Sequence, residues 1–105
     1  MGTKTNPGEF DCYTNAEPDE PMFVLLGRDP LGAYLVQLWA DVRAELVTAE
    51  RETEKLAEAR KCAQAMRDWP TTKKLSGKIT IPDDVHEEIV ADIVQAYRVS
   101  QRAKR

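Results

Sequence analysis

The chain reads as a mainly α protein: a helical hairpin plus a third amphipathic helix, with one or two short strand-like segments. Three observations carry that reading. Between Pro30 and Trp69 there is no interior proline, only Gly32 near the start, and apolar residues fall at helical spacing twice over. After Ile81-Pro82, the residues Val85, Ile89, Ile93 and Tyr97 recur every four positions, with Val90 and Val94 widening the apolar face. Outside these stretches proline, glycine and polar residues dominate.

Taken in order, residues 1–21 form an N-terminal arm. Pro7, Gly8, Pro18 and Pro21 lie among polar residues without periodicity, so an extended or irregular path is expected, with Phe10 and Tyr13 docked on the core. Residues 22–69 follow as a strand-like segment and the hairpin. Met22 to Leu26 favours extended backbone but is too short to form a sheet unaided, and Lys78-Ile79-Thr80-Ile81 is the segment with which it could pair. Asp29-Pro30 opens the first helix, since Asp is a good N-cap and Pro suits the first helical turn.

Leu35, Leu38, Trp39, Val42 and Leu46 then share one face, and Leu56, Ala59, Ala63, Met66 and Trp69 share another. Between them Glu50 to Lys55 holds no apolar residue. One helix through the whole stretch would run roughly 60 Å at 1.5 Å per residue, and a chain this small could not cover its stripe. A hairpin turning around Thr48 to Thr53 is therefore expected, with Trp39 and Trp69 on the inner faces. Trp69-Pro70 stops the second helix. Residues 70–105 supply a polar linker with a Ser76-Gly77 turn, the third helix and a basic tail. All three parts are expected to form one domain.

Composition narrows the function classes. The chain has 105 residues and 42% hydrophobic residues, enough for one small core. Net charge is −3, so there is no global basic field of the kind duplex-DNA binders carry. The charge is nevertheless segregated: −4 over residues 1–29, −1 over 30–69 and +2 over 70–105. Arg98, Arg102, Lys104 and Arg105 have no acidic neighbour after Asp92; they complement a helix dipole or present a basic arm to phosphate or an acidic partner. No apolar run approaches the ~20 residues of a membrane span. The opening residues lack the apolar stretch of a secretory signal. Two cysteines far apart in sequence read as free thiols of a cytosolic protein.

The chemistry-bearing residues are few. His86, the only histidine, stands in the first turn of the third helix, off its apolar stripe, and reads as a solvated surface group. Cys62 lies among alanines and reads as a small core hydrophobe. Asp83-Asp84 and Glu87-Glu88 are the ordinary acidic complement of a helix N-terminus. There is no phosphate-binding glycine loop, no Ser-His-Asp set and no Cys pair at metal spacing, so no catalytic residue, metal ligand or cofactor is assigned and the chain is expected not to be an enzyme. Two binding candidates remain. Arg28, at the corner before the first helix, could hold a phosphate with Lys73 and Lys74, against the plainer reading of a surface ion pair with Asp29 or Asp19. Trp39 and Trp69, read first as core, would serve as interface residues in an oligomer.

Asp19-Glu20-Pro21, Phe23-Val24-Leu25, Asp29 and Trp39-Ala40, followed by an Ala-rich helix with Ala59, Met66 and Trp69, form a recurring pattern. In it the chain resembles a set of small proteins encoded in tailed-phage and prophage genomes. The likeness covers about half the chain. It departs at Gly32-Ala33, where the pattern often has Ala-Pro, and does not extend past Pro70. The resemblance implies a phage origin and a variable spacer between two helices, which favours the hairpin.

With it comes the leading functional expectation: a non-enzymatic counter-defence binder in the host cytoplasm, working as a homo-oligomer. It would sequester a phosphorylated signal nucleotide or block a host defence protein. The alternative is a nucleic-acid-binding accessory or regulator, since Lys78 to Val85 resembles the strand-to-helix opening of ribbon-helix-helix repressors, although the second helix those repressors need is missing. A purely structural interaction protein is a third reading.

Overall fold

The computed structural model describes residues 1–47, 50–71 and 77–103. Within them the chain is mainly helical: α1 (Cys12–Asn15), α2 (Gly32–Leu46), α3 (Glu50–Asp68) and α4 (Asp83–Ala103). No strand occurs among the described residues. Met22–Leu26 belongs to no helix or strand, with Phe23 84% exposed. The expected pairing is replaced by a single tie further along, where the Ile79 amide donates to the Pro30 carbonyl at 2.9 Å. One backbone hydrogen bond does not make a ladder, and the segment stays as a strap across the corner before α2.

The arm is more ordered than its proline content suggests. Asp11 caps α1 by accepting from the Tyr13 amide at 2.9 Å, and the Asn15 side chain donates to the Asp11 carbonyl at 2.9 Å. Phe10 is half-buried as expected, but Tyr13 is 79% exposed and does not dock. The residue that reaches the core from this end is Met1, packed on the cluster of Ala40, Leu56 and Ala59.

The hairpin is the centre of the fold. Helices α2 and α3 run antiparallel: Gly32 faces Met66 at one end, and Arg43 holds Glu52 at the other through two hydrogen bonds of 2.7 and 2.8 Å. The sequence places the turn around Thr48 to Thr53; Thr48 lies outside the described residues, and Glu50 to Thr53 are helical. Val47 is already extended, and α3 begins at Glu50, so the apolar-free stretch Glu50 to Lys55 is its first turns rather than a loop. Those turns need no apolar side chain, because acids there complement the helix dipole and Glu52 bridges to α2. At the other end Asp68 closes α3 before Trp69-Pro70.

The start of α2 also shifts. Asp29 is not its N-cap; its carboxylate accepts from the Leu31 amide at 2.8 Å in a local turn, and the helix begins at Gly32 after an uncapped Leu31. Pro30 thus belongs to the turn, two residues before the helix.

The contact between α2 and α3 consists of small side chains. Ala33, Ala40, Ala59 and Ala63 are at most 2% exposed, with Leu56 and Met66 closing the set at 6% and 7%. Of the two stripes read from the sequence, the α3 stripe from Leu56 to Met66 is therefore the core face. The α2 stripe is not. Leu35 and Trp39 are 40% and 38% exposed, and the buried residues of α2 are Gly32, Ala33 and Ala40. Small residues let two helix axes approach closely, so they fill the contact although larger side chains were available. Trp39 and Trp69 accordingly leave the inner faces assigned to them; Trp69 is 63% exposed.

Helix α4 lies on the other flank of α2, with Val94 its one buried residue among the described residues. Its first turn carries Asp83 and Asp84 after Pro82, as expected. Gly77, in the left-handed region at φ 67°, turns the chain toward it. No helix is long and apolar enough to cross a membrane among the described residues.

Candidate functional site

Two places bring separated residues together. The first is a polar clasp between α2 and α4. Tyr34 and Asp41 lie seven residues apart, two turns along the same side of α2, and His86 on the first turn of α4 reaches both. The Tyr34 hydroxyl is 3.0 Å from His86 Nδ1, and His86 Nε2 is 2.7 Å from Asp41 Oδ2. Asp41 Oδ1 accepts from Arg60 of α3 at 3.0 Å, so one carboxylate joins three helices. The tyrosine ring meets the imidazole edge-on, with centroids 5.4 Å apart. His86 is thus not the solvated surface group expected from its place off the stripe; its side chain is only 16% exposed.

The clasp fastens α2, α3 and α4 to one another. Burial raises the Tyr34 pKa, and the Asp41 charge raises it further. The phenol is therefore held in its protonated form. Burial alone would raise the Asp41 carboxyl as well. Hydrogen bonds from His86 and Arg60, with the charge of Arg60, outweigh it and hold the group below its usual value. Both ring nitrogens of His86 are thus engaged, Nε2 with the Asp41 carboxylate and Nδ1 with the Tyr34 hydroxyl. An open groove of about 640 Å³ runs beside the clasp, bordered by Glu45, Glu87 and Arg98.

The second place is the corner at Gly27. The indole of Trp69, just past the end of α3, packs on it so closely that an added Cβ would lie 3.2 Å from Trp69 Cβ and 3.3 Å from Cγ. The Lys78 ammonium donates to the Gly27 carbonyl. Arg28 follows directly and is exposed; among the described residues it forms no ion pair, so the pairing with Asp29 or Asp19 is not made. Three segments remote in sequence thus place two cations and an exposed indole around one glycine.

Of the residues singled out from the sequence, Trp69 packs on Gly27 and Arg28 is the next residue along the chain, exposed beside this corner. Lys73 and Lys74 lie outside the described residues. Trp39 is elsewhere, on the outer face of α2, its ring flanked by the Arg43 guanidinium at 5.3 Å and the Lys55 ammonium at 5.7 Å. Lys78 was missed, because it was read as part of a strand. Its one sequence signal was position: the first cation after a glycine turn, ahead of an apolar pair.

Cys62 is half-buried on α3, and burial pushes its thiol pKa up, which withholds the thiolate. Among the described residues no group of three or more His, Cys, Asp or Glu side chains is placed to hold a metal ion. No protein-family model, no curated protein and no solved structure matches the chain.

Proposed function

We propose that the protein is a non-enzymatic, phage-type binder that counters host defence in the host cytoplasm by sequestering a phosphorylated signal nucleotide, and that it works as a homo-oligomer. The observation that carries the ligand assignment is the Gly27 corner. Arg28 offers a planar fork suited to phosphate, Lys78 adds a second positive charge, and the Trp69 indole is a surface on which a base stacks. A base, a linker and a phosphate call for that combination of one aromatic plane and two cations. The phage and counter-defence parts rest on the resemblance in the Asp19 to Ala40 and Lys55 to Trp69 blocks.

Native mass spectrometry of protein purified from infected cells tests the reading. A mass increment equal to a nucleotide on each protomer, removed by mild collisional activation, is expected. Protein that emerges only without ligand from cells with an active nucleotide-signalling defence would overturn it.

One observation favours a second reading, in which the target is a host defence protein. Met22 to Leu26 belongs to no helix or strand and is largely exposed, a β-favouring segment available to add to the open sheet edge of a partner. The nucleic-acid alternative has less support, since Lys78 to Ile81 does not form the strand that opening requires.

A further inference from the structure

The apolar face that the hairpin leaves uncovered is the outer side of α2. Leu35, Trp39, Val42 and Leu46 follow one another at spacings of four, three and four, a seam that packs another helix. With Ile93 and Tyr97 of α4 they line an open groove of about 360 Å³. Ile93 and Tyr97 are 40% and 49% exposed, and Val85 and Val99 continue the apolar surface along α4.

The two banks of this groove carry opposite charge. On the α3 side Lys55 stands over the Trp39 ring and forms no ion pair among the described residues, whereas Arg43 on the same ring is already paired with Glu52, so Lys55 carries the positive charge of this bank. On the far side the helical repeat of α4 puts exposed Asp92 and Glu88 just beyond Val85 and Ile93. A surface with a basic bank on one side and an acidic bank on the other is complementary to itself under a two-fold axis along the groove. Each acidic bank then faces the partner's basic one, and each α4 lies against the partner's α2.

We infer that the groove is the homodimer interface, occupied by the α4 face of a second copy. The inference rests on the homo-oligomer reading above and deepens it; the nucleotide corner at Gly27 is a separate surface. Charge complementarity selects a second copy over an unrelated helix, because this chain itself carries both matching banks.

Sedimentation equilibrium across a hundredfold dilution range, paired with circular dichroism, provides the test. The wild type should dimerise, with a constant that weakens in high salt. Ile93→Asp should raise the dissociation constant at least about tenfold with helicity kept. Lys55→Glu and Asp92→Lys should each weaken the dimer, and the two together should restore it, which only a pairing between copies allows. Should Ile93→Asp lose helicity, the charge reversals decide alone. A wild-type monomer overturns both this interface and the homo-oligomer reading. An oligomer indifferent to all these substitutions overturns the interface and leaves the broader reading standing.

Discussion

Asp41 joins three helices through its hydrogen bonds from His86 and Arg60, and its titration has a sign that can be worked out. Its folded pKa lies below the ordinary value of 3.8, because hydrogen bonds from His86 and Arg60 overcome the effect of burial. A group of this kind stabilises the fold above its unfolded pKa and loses that contribution as pH falls through the folded one. Wild type should therefore exceed Asp41→Asn in stability by a constant margin above about pH 5, and the margin should shrink below about pH 4. Denaturant melts from pH 7 to pH 2.5 measure this. A margin that stays the same down to pH 2.5 would mean that the carboxylate is not held by its partners. Position alone could not have revealed the clasp: His86 is separated from Asp41 by 45 residues, and helical periodicity predicts which residues share a face, not which faces meet.

At the scale of the element, the hairpin rests on alanines. Ala40 and Ala59 are fully buried where α2 crosses α3, so there is no space for a branched side chain. Ala59→Leu should overpack this contact and cost about 1–3 kcal/mol, which for a domain of this length lowers the melting temperature by roughly 5 °C or more. Thermal melts followed at 222 nm check it; an unchanged or raised midpoint would show that the helices stand further apart than described.

The same element shows what was legible. Helix α3 could be read from its stripe because its apolar residues, from Leu56 to Met66, are the ones buried. Helix α2 could not be assigned a correct face. Its most hydrophobic side chains form a regular stripe and its alanines a second one, and a stripe alone does not say whether it meets the rest of this chain or something else. The start of α2 was misplaced for a local reason: Asp29 has the chemistry of an N-cap, but used it to close a turn on Leu31 one step earlier. The corner was half legible. Arg28 was picked out from the turn chemistry around it, whereas its neighbours Trp69 and Lys78 arrive through tertiary contacts.

Over the whole molecule, the distribution of size is inverted relative to an ordinary small domain. The interior is alanine with Leu56, Met66 and Val94, no large side chain is fully buried among the described residues, and both tryptophans, Phe23 and Tyr97 are outside. Large aromatic surface left in water favours binding over isolation, and here it is divided between the groove of α2 and α4, the Met22–Leu26 segment and the Gly27 corner. Cations stand beside an exposed ring both at the corner and at Trp39, where Arg43 and Lys55 flank the indole; the Trp39 face belongs to the groove assigned to the second copy, so the ligand is assigned to the corner. Isothermal titration calorimetry of the wild type and Arg28→Ala against a panel of cyclic and linear nucleotides is the most direct measurement. The account predicts saturable heat for at least one nucleotide with the wild type, and an affinity at least about tenfold lower for Arg28→Ala, a loss of ~1.4 kcal/mol, with the melting temperature unchanged because the side chain is exposed. No heat across the panel, or equal binding by both proteins, would contradict it.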